Sequence, residues 1–322
     1  MLTYVSGDKK TAARRAISAR FREISNLQFA VLLSVPVMVF LLAVILYPLC
    51  YSLWISFRRV DLTAGFHTMY VGLRNYATIL RTDEFWKSML VSLRFMADST
   101  VLTMLLGLVF AISLARLTTL IRTRWTRALV RSLIILPWAI SSYGGGIILK
   151  YLWRGYSGFP SAIAAHLFGI HQSLDLYSNA KTVIEILAIG QAWRYAPLVA
   201  FFLLANIEVI PSRLYDMASI DHLRGLGKFY YVTLPYLRYT LFVFTSIMIV
   251  FSLKEYESIY LQTGGGPGIA SAVLTYQIYK FSFINFNLGY GSAMSFYLLI
   301  LMLAITLALF FAWGRKEGKQ NV

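Results

Sequence analysis

A few ionisable side chains interrupt the long apolar runs of this sequence, and they are the residues best placed to do chemistry. They are Asp98, Glu185, Arg194 and the run Lys254-Glu255-Tyr256-Glu257. The runs are long enough to span a bilayer, where a charge at the centre costs at least about 2.5–3.5 kcal/mol and therefore usually faces a partner or water. Glu185 and Arg194 are nine residues apart on one predicted helix and do not meet there. We therefore interpret Arg194 as a candidate for the lining of a polar cavity.

The run at 254–257 has two interpretations. With the preceding helix beginning near Tyr236, residue 255 lies about 28 Å further along the helix axis at 1.5 Å per residue. That depth corresponds to the outer interface, where charge costs little. The run is therefore either the solvated end of a helix or a gate, and both interpretations stay open.

Enzymatic chemistry is not indicated. The serine, histidine and acidic residues match no nucleophile elbow and no zinc motif, and the single cysteine cannot form a disulfide within the chain. The stretch GLGK at 225–228 resembles part of a phosphate-binding loop. That motif needs glycine where His222 stands and serine or threonine where Phe229 stands. The sequence thus predicts no catalysis, no metal site and no nucleotide or other cofactor bound by this chain.

Composition indicates a membrane protein. Of the 322 residues, 58% are hydrophobic and only 14% are charged, whereas soluble domains carry roughly a quarter charged residues. The net charge of +16 would suit nucleic-acid binding if basic and aromatic residues were interleaved on a soluble face. Clusters of basic residues at alternate ends of the apolar runs fit positive-inside topology better, so we predict no nucleic-acid partner.

Six runs satisfy the length of roughly 20 apolar residues that a bilayer-spanning helix needs. We predict an all-α polytopic membrane protein with spans at about 28–53, 95–116, 128–152, 182–208, 236–260 and 288–313. The alternating segments 1–27, 117–127, 209–235 and 314–322, with their flanks, carry more than half of the 30 lysine and arginine residues. Both termini are therefore predicted to be cytoplasmic. The parts are a cytoplasmic segment 1–27, a first span with its external segment 28–94, a core 95–314 and a cytoplasmic tail 315–322.

Proline and glycine interrupt two of the predicted spans. They are Pro137 and Gly144-Gly145-Gly146 in the third, and Gly190 and Pro197 in the fourth. Backbone groups freed at such positions must be satisfied by neighbouring helices or by water in a cavity. This pattern favours a transport path over a simple anchor.

A polar stretch at 215–235, YDMASIDHLRGLGKFYYVTLP, separates two of the longest apolar runs. Pro211 ends the preceding segment and Ser212 can cap a new helix through its hydroxyl. Leu214, Met217 and Ala218 then share one helical face. Gly225 and Gly227 are predicted to break this helix, and Pro235 opens the fifth span. The residues alone leave an interfacial connector helix as the simpler interpretation.

The same stretch resembles the EAA loop of binding-protein-dependent ABC importers, which reads I-P-x-x-L-Y-E-A-A-x-I-D-G-A and later Phe and I-T-L-P. The matching residues are Ile210-Pro211, Leu214-Tyr215, Ala218, Ile220-Asp221, Phe229 and Thr233-Leu234-Pro235. Three positions depart from it: Asp216 for Glu, Met217 for Ala and His222 for Gly. The segments VGLRNYATILRTDEFW (71–86), ILPWAIS (135–141), YESIYLQTGGGPG (256–268) and LGYGSAMS (288–295) resemble the carbohydrate-uptake branch of maltose and glycerol-phosphate type, and its first, maltose-permease-F-like subunit.

The resemblance implies a type I ABC importer permease fold: six transmembrane helices with a cytoplasmic coupling helix, in the cell membrane of a prokaryote. It implies a heterodimer with a second permease subunit, two ATPase subunits that bind ATP and Mg, and an external sugar-binding protein. The loop 210–235 would couple to the ATPase. The residues expected to do so are Leu214, Tyr215, Asp216, Met217, Ala218, Asp221, His222, Gly225, Phe229 and Pro235.

Sugars prefer flat aromatic faces beside hydrogen-bonding groups, and the last three spans offer both. The residues predicted for the substrate path are Gln191, Trp193, Arg194, Tyr195, Tyr256, Glu257 and Tyr297. The alternative for each aromatic residue is an interfacial belt or packing. For the whole chain, the alternative is a secondary transporter or a channel subunit with an interfacial connector helix.

Overall fold

The computed structural model describes residues 26–61, 67–155 and 158–317, and the chain divides into two units at Ile55. The predicted N-terminal segment 1–27 and tail 315–322 fall largely outside the described residues. In the first unit, helix α1 (Asn26–Leu41) continues through a π-helical turn, Leu42–Leu46, into helix α2 (Tyr47–Ser56). This segment is long and apolar enough to cross a membrane, as the first predicted span requires.

The second unit begins with a two-stranded antiparallel hairpin, β1 (Arg58–Asp61) and β2 (His67–Tyr70), in which Arg58 pairs with Tyr70. A short helix α3 (Arg74–Leu80) leads into the long helix α4 (Asp83–Leu120). The expected all-α chain thus carries one small hairpin, in the segment that was predicted to be external. Helix α4 extends the predicted second span by twelve residues at its start, because polar residues there form the first turns of the same helix.

The third predicted span, 128–152, is not a continuous helix. Helix α5 (Arg124–Ile134) is followed by a single turn, α6 (Leu136–Ala139), and then by α7 (Ser142–Trp153). Pro137 lies in the first turn of α6, and Ile140 is extended. The Ser141 hydroxyl then caps α7 by accepting a hydrogen bond from the Gly144 amide at 3.1 Å. The three glycines expected to break the span instead lie inside α7.

A short helix α8 (Phe159–Phe168) and a 3₁₀ turn, Leu176–Ser178, connect α7 to helix α9 (Val183–Val209). The buried Tyr177 hydroxyl in this turn donates to Gln262 Oε1 at 2.7 Å. Burial and the neighbouring Asp175 carboxylate raise the pKa of Tyr177 above its ordinary value, so it remains a donor. Helix α9 continues through Gly190 and Pro197, the residues predicted to interrupt it.

The remaining elements complete the core. They are α10 (Ser212–Ile220), α11 (Leu226–Lys228), a π-helical turn Phe229–Thr233, α12 (Leu234–Lys254), α13 (Glu257–Thr263), α14 (Leu274–Tyr279), a second π-helical turn Lys280–Ile284 and α15 (Leu288–Glu317). The predicted fifth span, 236–260, ends early because Glu255 is extended and starts a turn into α13. Within the described ranges, five helical segments are long and apolar enough to cross a membrane: Gln28–Ser56, Asp83–Leu120, Val183–Val209, Leu226–Lys254 and Leu288–Trp313.

Helices α4 and α9 form the centre of the second unit, and small residues let them approach. A Cβ atom on Gly107 of α4 would lie only 2.7 Å from Val199 Cγ1 of α9. Ala111, Val199, Ala200 and Leu203 are fully buried in the layer that α12 closes. Helices α4, α9 and α12 all pack against one another, and the polar side chains of Gln191 and Arg194 on α9 are buried in this unit.

Candidate coupling loop and polar cavity

The loop that follows α9 folds as the sequence predicts, but it is capped differently. Helix α10 begins at Ser212, with extended backbone at Ile210 and Pro211. Pro211 occupies the N-cap position and no side chain caps the helix, so the predicted cap by Ser212 is wrong. The reason is that Ser212 is already the first helical residue, one position too late for its hydroxyl to reach the free amides.

One face of α10 packs against the rest of the loop, and it includes only part of the face that Leu214, Met217 and Ala218 were predicted to share. Ala218 is buried with Ile210 and Val232, and Leu214 and Tyr215 pack beside them. The Tyr215 and Thr233 hydroxyl oxygens are hydrogen-bonded at 3.0 Å. Tyr215 thus lies on the packed face, whereas Met217, which was predicted to share a face with Leu214 and Ala218, is exposed.

The opposite face of α10 presents a mixed surface to its surroundings. Met217 and Ile220 of α10 are exposed by 53% and 77%, Asp216 of the same helix is also exposed, and Leu226, which begins α11, is exposed by 85%. We call Asp216, Met217, Ile220 and Leu226 the coupling surface. Exposed apolar residues grouped around a charge are typical of a contact site for another protein.

The turn after α10 shows what the change from glycine to His222 does. The Leu223 amide donates to Ala218 O at 2.9 Å and the His222 amide to Ser219 O at 3.1 Å. This is a Schellman motif, whose C′ residue needs left-handed backbone and is usually glycine. His222 adopts that conformation with φ of 56°. The tight turn is therefore retained at the cost of a side chain in a region that L-residues disfavour.

The break after this turn lies at Gly225, which has φ of 35°. Gly227, the other predicted break, is instead helical within α11. Half-buried Phe229 starts the π-helical turn that continues into α12, with Pro235 in its first turn as predicted. Asp221 is exposed and occupies the C-cap position of α10. The loop is thus a short helix that packs through Ala218 on Ile210 and Val232 and is followed by turns at His222 and Gly225.

A second polar site lies about 22 Å up α9 from Val209, at 1.5 Å per residue. Arg194 Nη2 is 3.4 Å from Glu255 Oε2, and these side chains are only 9% and 6% exposed. Arg194 also donates to the Tyr195 hydroxyl, and its guanidinium lies 4.4 Å from the centre of the Tyr195 ring. Arg194, which was predicted to line a polar cavity, thus has a buried acidic partner in Glu255.

Both oxygens of the Glu255 carboxylate have partners. Glu255 Oε1 accepts from Ser142 Oγ at 2.7 Å and from the Ser258 amide at 3.2 Å. Ser142 begins α7 and Ser258 lies in the first turn of α13. The Glu255 carboxylate, at the junction of α12 with α13, therefore contacts both α7 and α9. We call Arg194, Glu255, Ser142 and Tyr195 the polar cluster.

A cavity of about 280 Å³ opens beside the polar cluster. Its lining residues are Ser142, Arg194, Tyr195, Phe251, Lys254, Glu255, Tyr256 and Glu257. Four of the seven residues predicted for the substrate path meet here: Arg194, Tyr195, Tyr256 and Glu257. Lys254 and Glu257 are exposed, as a solvated helix end requires, whereas Glu255 is buried.

The other three predicted residues lie elsewhere. Gln191, one turn from Arg194, is buried and donates to Ser252 Oγ at 2.7 Å. Trp193 faces an apolar cavity of about 360 Å³ with Pro137 and Pro197. The Tyr297 hydroxyl donates to Tyr76 O at 3.2 Å, and Tyr297 does not line the cavity beside Arg194. The structure does not bring these residues to the cavity beside Arg194.

Sequence reasoning missed Ser142 and the burial of Glu255. Ser142 gave no signal, because a serine at a helix start is common. Glu255 was visible inside an acidic run, but distance along α12 alone does not show that the chain turns inward after Lys254. The extended backbone at Glu255 makes that turn.

Comparison with known proteins places these features in a family. No protein-family profile matches this chain. The trehalose/maltose transport system permease protein MalF of Thermococcus litoralis is 30% identical over 277 residues, which cover 86% of this chain and 90% of that protein. This chain belongs to the ABC transporter permeases of the maltose and glycerol-phosphate transport type.

Other permeases agree with that assignment. The sulfoquinovosyl glycerol transport system permease protein SmoG of Agrobacterium fabrum is 25% identical, over 94% of this chain and 95% of that protein. The sn-glycerol-3-phosphate permease UgpA of the same organism is 28% identical, over 85% and 91%. A chain of a bacterial ABC transporter that imports the acidic polysaccharide alginate has the same fold, with a TM-score of 0.71 and 19% identity over 94% of this chain and 99% of that one.

Family membership confirms the predicted class: a multi-pass, helical permease subunit of an ABC importer. Its permease fold is the one that the EAA-like loop indicated. The interpretations as a secondary transporter or as an isolated channel are no longer needed, because the chain aligns with importer permeases over nearly its whole length.

Proposed function

We propose that this permease forms half of the transport path of a prokaryotic sugar importer and transmits ATP-driven movement through the loop 210–235. The observation that carries the proposal is the coupling surface. It projects exposed residues from a helix whose other face is fixed by Ala218 and by the hydrogen bond between Tyr215 and Thr233. A helix held in this way transmits a force from a bound partner to α9 and α12.

The partners follow from what the permease contains. We found no ATP-binding motif in its sequence, so two ATPase subunits supply the hydrolysis. A second permease subunit completes the path, and an external binding protein delivers the sugar. A solved relative is a bacterial alginate ABC transporter in complex with a periplasmic protein that holds an alginate pentasaccharide, with a TM-score of 0.72 and 18% identity over 88% of this chain and 92% of that one. Both termini and the loop 210–235 face the cytoplasm, and this subunit is not itself catalytic.

The sugar passes the cavity beside the polar cluster. Its lining combines aromatic rings, Tyr195 and Tyr256, with the hydroxyl of Ser142 and the charges of Lys254 and Glu257. Rings provide flat apolar contact and the polar groups accept and donate hydrogen bonds to sugar hydroxyls. At about 280 Å³ the cavity is small for a complete ligand site, so a second subunit would supply the rest.

The test is reconstitution of the permease in lipid with the second permease, ATPase and binding protein encoded beside it. ATP hydrolysis and uptake are measured over a panel of sugars. We expect one sugar with its binding protein to stimulate hydrolysis several-fold and to accumulate inside vesicles. Uptake that does not depend on ATP or on the binding protein would contradict the proposal and support a channel.

A further inference from the structure

A third and larger cavity lies beside the loop that carries the coupling surface. Its volume is about 860 Å³, and it is formed by the last turns of α4, by α5, by the end of α9 and by the loop 225–233. Its lining includes four basic side chains, Arg116, Arg127, Arg131 and Lys228, and one acidic side chain, Glu208. The lining therefore carries an excess of three positive charges.

Of the four basic side chains, Arg131 and Lys228 have side-chain partners within the protein, whereas Arg116 and Arg127 have no acidic partner among the described residues. Arg131 is paired with Glu208, and Lys228 Nζ donates to Ser219 Oγ at 2.6 Å. Arg116 is exposed, and Arg127 uses its Nε atom for the Ile121 carbonyl, which leaves its terminal amino groups available. Arg131 Nε is buried without a hydrogen-bond partner among the described residues. Among the described residues, the cavity thus lacks the negative charge that would balance its basic lining.

The basic and apolar residues are arranged in order of depth. Leu108, Ile112 and Arg116 lie one turn apart on α4, over about 12 Å of helix axis, and all line the cavity. The apolar pair is toward the middle of the spanning helix and the arginine is toward its end. A soluble anion needs only the basic end, whereas a phospholipid needs a basic end and an apolar channel below it.

Helix α5, which forms one wall, is itself amphipathic. Arg124, Arg127 and Arg131 follow one side, at positions i, i+3 and i+7, and the other side exposes Trp125, Leu129 and Leu133. A short helix with arginine on one face and tryptophan and leucine on the other lies in the headgroup layer of a bilayer. This arrangement holds the cavity at the depth of the lipid phosphates.

We propose that this cavity binds the headgroup of an anionic phospholipid of the inner leaflet, with Arg116 and Arg127 contacting the phosphate. The acyl chains lie along Leu108 and Ile112. Basic pockets between transmembrane helices on the cytoplasmic side recognise such headgroups through the same charges. The placement in the inner leaflet rests on the proposed function, which puts the loop 210–235 on the ATPase side. The bound lipid would contact Tyr215, Phe229 and Thr233 and so support the loop from behind.

The experiment measures lipid bound to the assembled transporter. The complex is placed in nanodiscs of phosphatidylcholine with about a quarter phosphatidylglycerol, and retained lipid is counted by native mass spectrometry. The test variant is Arg116→Gln with Arg127→Gln. The matched control is Arg122→Gln with Arg124→Gln, which removes the same charge from exposed positions that do not line the cavity.

We expect the wild type and the control to retain phosphatidylglycerol and the cavity variant to bind it about thirtyfold more weakly, from two basic contacts of the usual strength. Arg116→Lys with Arg127→Lys, which keeps the charge, should retain it. Equal loss in the cavity variant and the control would overturn the proposal in favour of general surface attraction. Displacement by soluble glycerol phosphate would assign the site to a free anion instead.

A photoreactive group at Ile112 tests whether the cavity holds a lipid or a part of the second permease subunit. Crosslinking to lipid supports the proposal, and crosslinking to the second permease subunit overturns it. Lipid retention is measured without sugar or ATP. A failure of sugar stimulation would therefore contradict the proposed function and leave this result unaffected.

Discussion

The coupling loop and the polar cluster are built on opposite principles. In the loop, residues 210–235 contact one another: Ala218 packs on Ile210 and Val232, and Tyr215 bonds to Thr233. In the polar cluster, Ser142, Arg194 and Glu255 come from three distant parts of the chain. The loop exposes its functional residues, whereas the cluster buries them. The first can be recognised as a motif, and the second exists only after the helices have packed.

The largest effect on stability is expected when a substitution disrupts the polar cluster. Arg194→Ala leaves the Glu255 carboxylate buried without its charge partner, which costs about 3–5 kcal/mol of unfolding free energy. Thermal unfolding of the purified complex in detergent measures this loss. Removing both charges, with Arg194→Met and Glu255→Gln, should restore most of it, because no unpaired charge remains and Gln keeps an oxygen for Ser142. Equal destabilisation in the single and double variants would show that the pair does not act as a unit.

Charge reversal in the loop comes next and should leave folding intact. If Asp216 pairs with a basic group of the ATPase, as its proposed coupling role implies, Asp216→Lys places a like charge there. Lost contacts of this kind cost about 2 kcal/mol or more, roughly thirtyfold in assembly. Sugar-stimulated hydrolysis and co-purification of the ATPase are the measurements. The control is Asp216→Glu, which keeps the charge and should behave as wild type. Normal uptake by Asp216→Lys would exclude the coupling role of this residue.

A smaller effect distinguishes cavity residues from packing residues. Tyr256→Leu removes a ring from the cavity beside Arg194 and should raise the sugar concentration needed for half-maximal stimulation about tenfold. Because this ring also packs on Tyr260 and Tyr279, some loss of melting temperature is expected as well, and the half-maximal concentration is the deciding measurement. Tyr297→Leu removes a ring that packs on Tyr76 and Phe85. It should instead lower the melting temperature and leave the half-maximal concentration unchanged. The reverse pattern would assign the path to Tyr297.

The smallest effect concerns the turn at the end of α10. His222→Gly relieves left-handed backbone strain of about 1–2 kcal/mol and adds about 0.5–1 kcal/mol of chain entropy to the unfolded state. We expect a net gain of about 0.5–1 kcal/mol in unfolding free energy by denaturant titration. His222→Ala cannot relieve the strain and should give no gain. An equal gain in both variants would mean that the imidazole, and not the backbone, causes the cost.

Much of the fold could be predicted, and the errors have specific causes. Apolar length identified the spans around α4, α9, α12 and α15, because the cost of burying backbone in lipid forces such runs into helices. It failed at 128–152, where Pro137 and the cap by Ser141 divide the run. It also failed at the end of α12, since hydropathy carries no information about where an extended residue such as Glu255 turns the chain.

The prediction of the sites follows the same division. The position of α10, its turn at residue 222 and its separation from α12 follow from local sequence, because glycine, proline and capping preferences act over a few residues. Local sequence did not show which face of α10 is buried; in the structure that face carries Ala218 and Tyr215, and the Tyr215 hydroxyl is hydrogen-bonded to Thr233. The sequence did not predict the basic cavity beside α5. Its residues Arg116, Arg127 and Lys228 lie on three different elements, and in the sequence they are indistinguishable from the basic residues that positive-inside topology requires.

By itself, the sequence determined that this protein spans a membrane, that a polar loop separates two of its spans and that this loop resembles an importer coupling motif. Those properties depend on hydropathy and on contacts between neighbours in the chain. Only the tertiary structure decided that Arg194 meets Glu255, and that Gln191, Trp193 and Tyr297 lie away from the cavity beside them. It also decided that basic side chains from three elements line one cavity together with Leu108 and Ile112. Burial and charge pairing between distant residues depend on how the helices pack, and no local pattern encodes that distance.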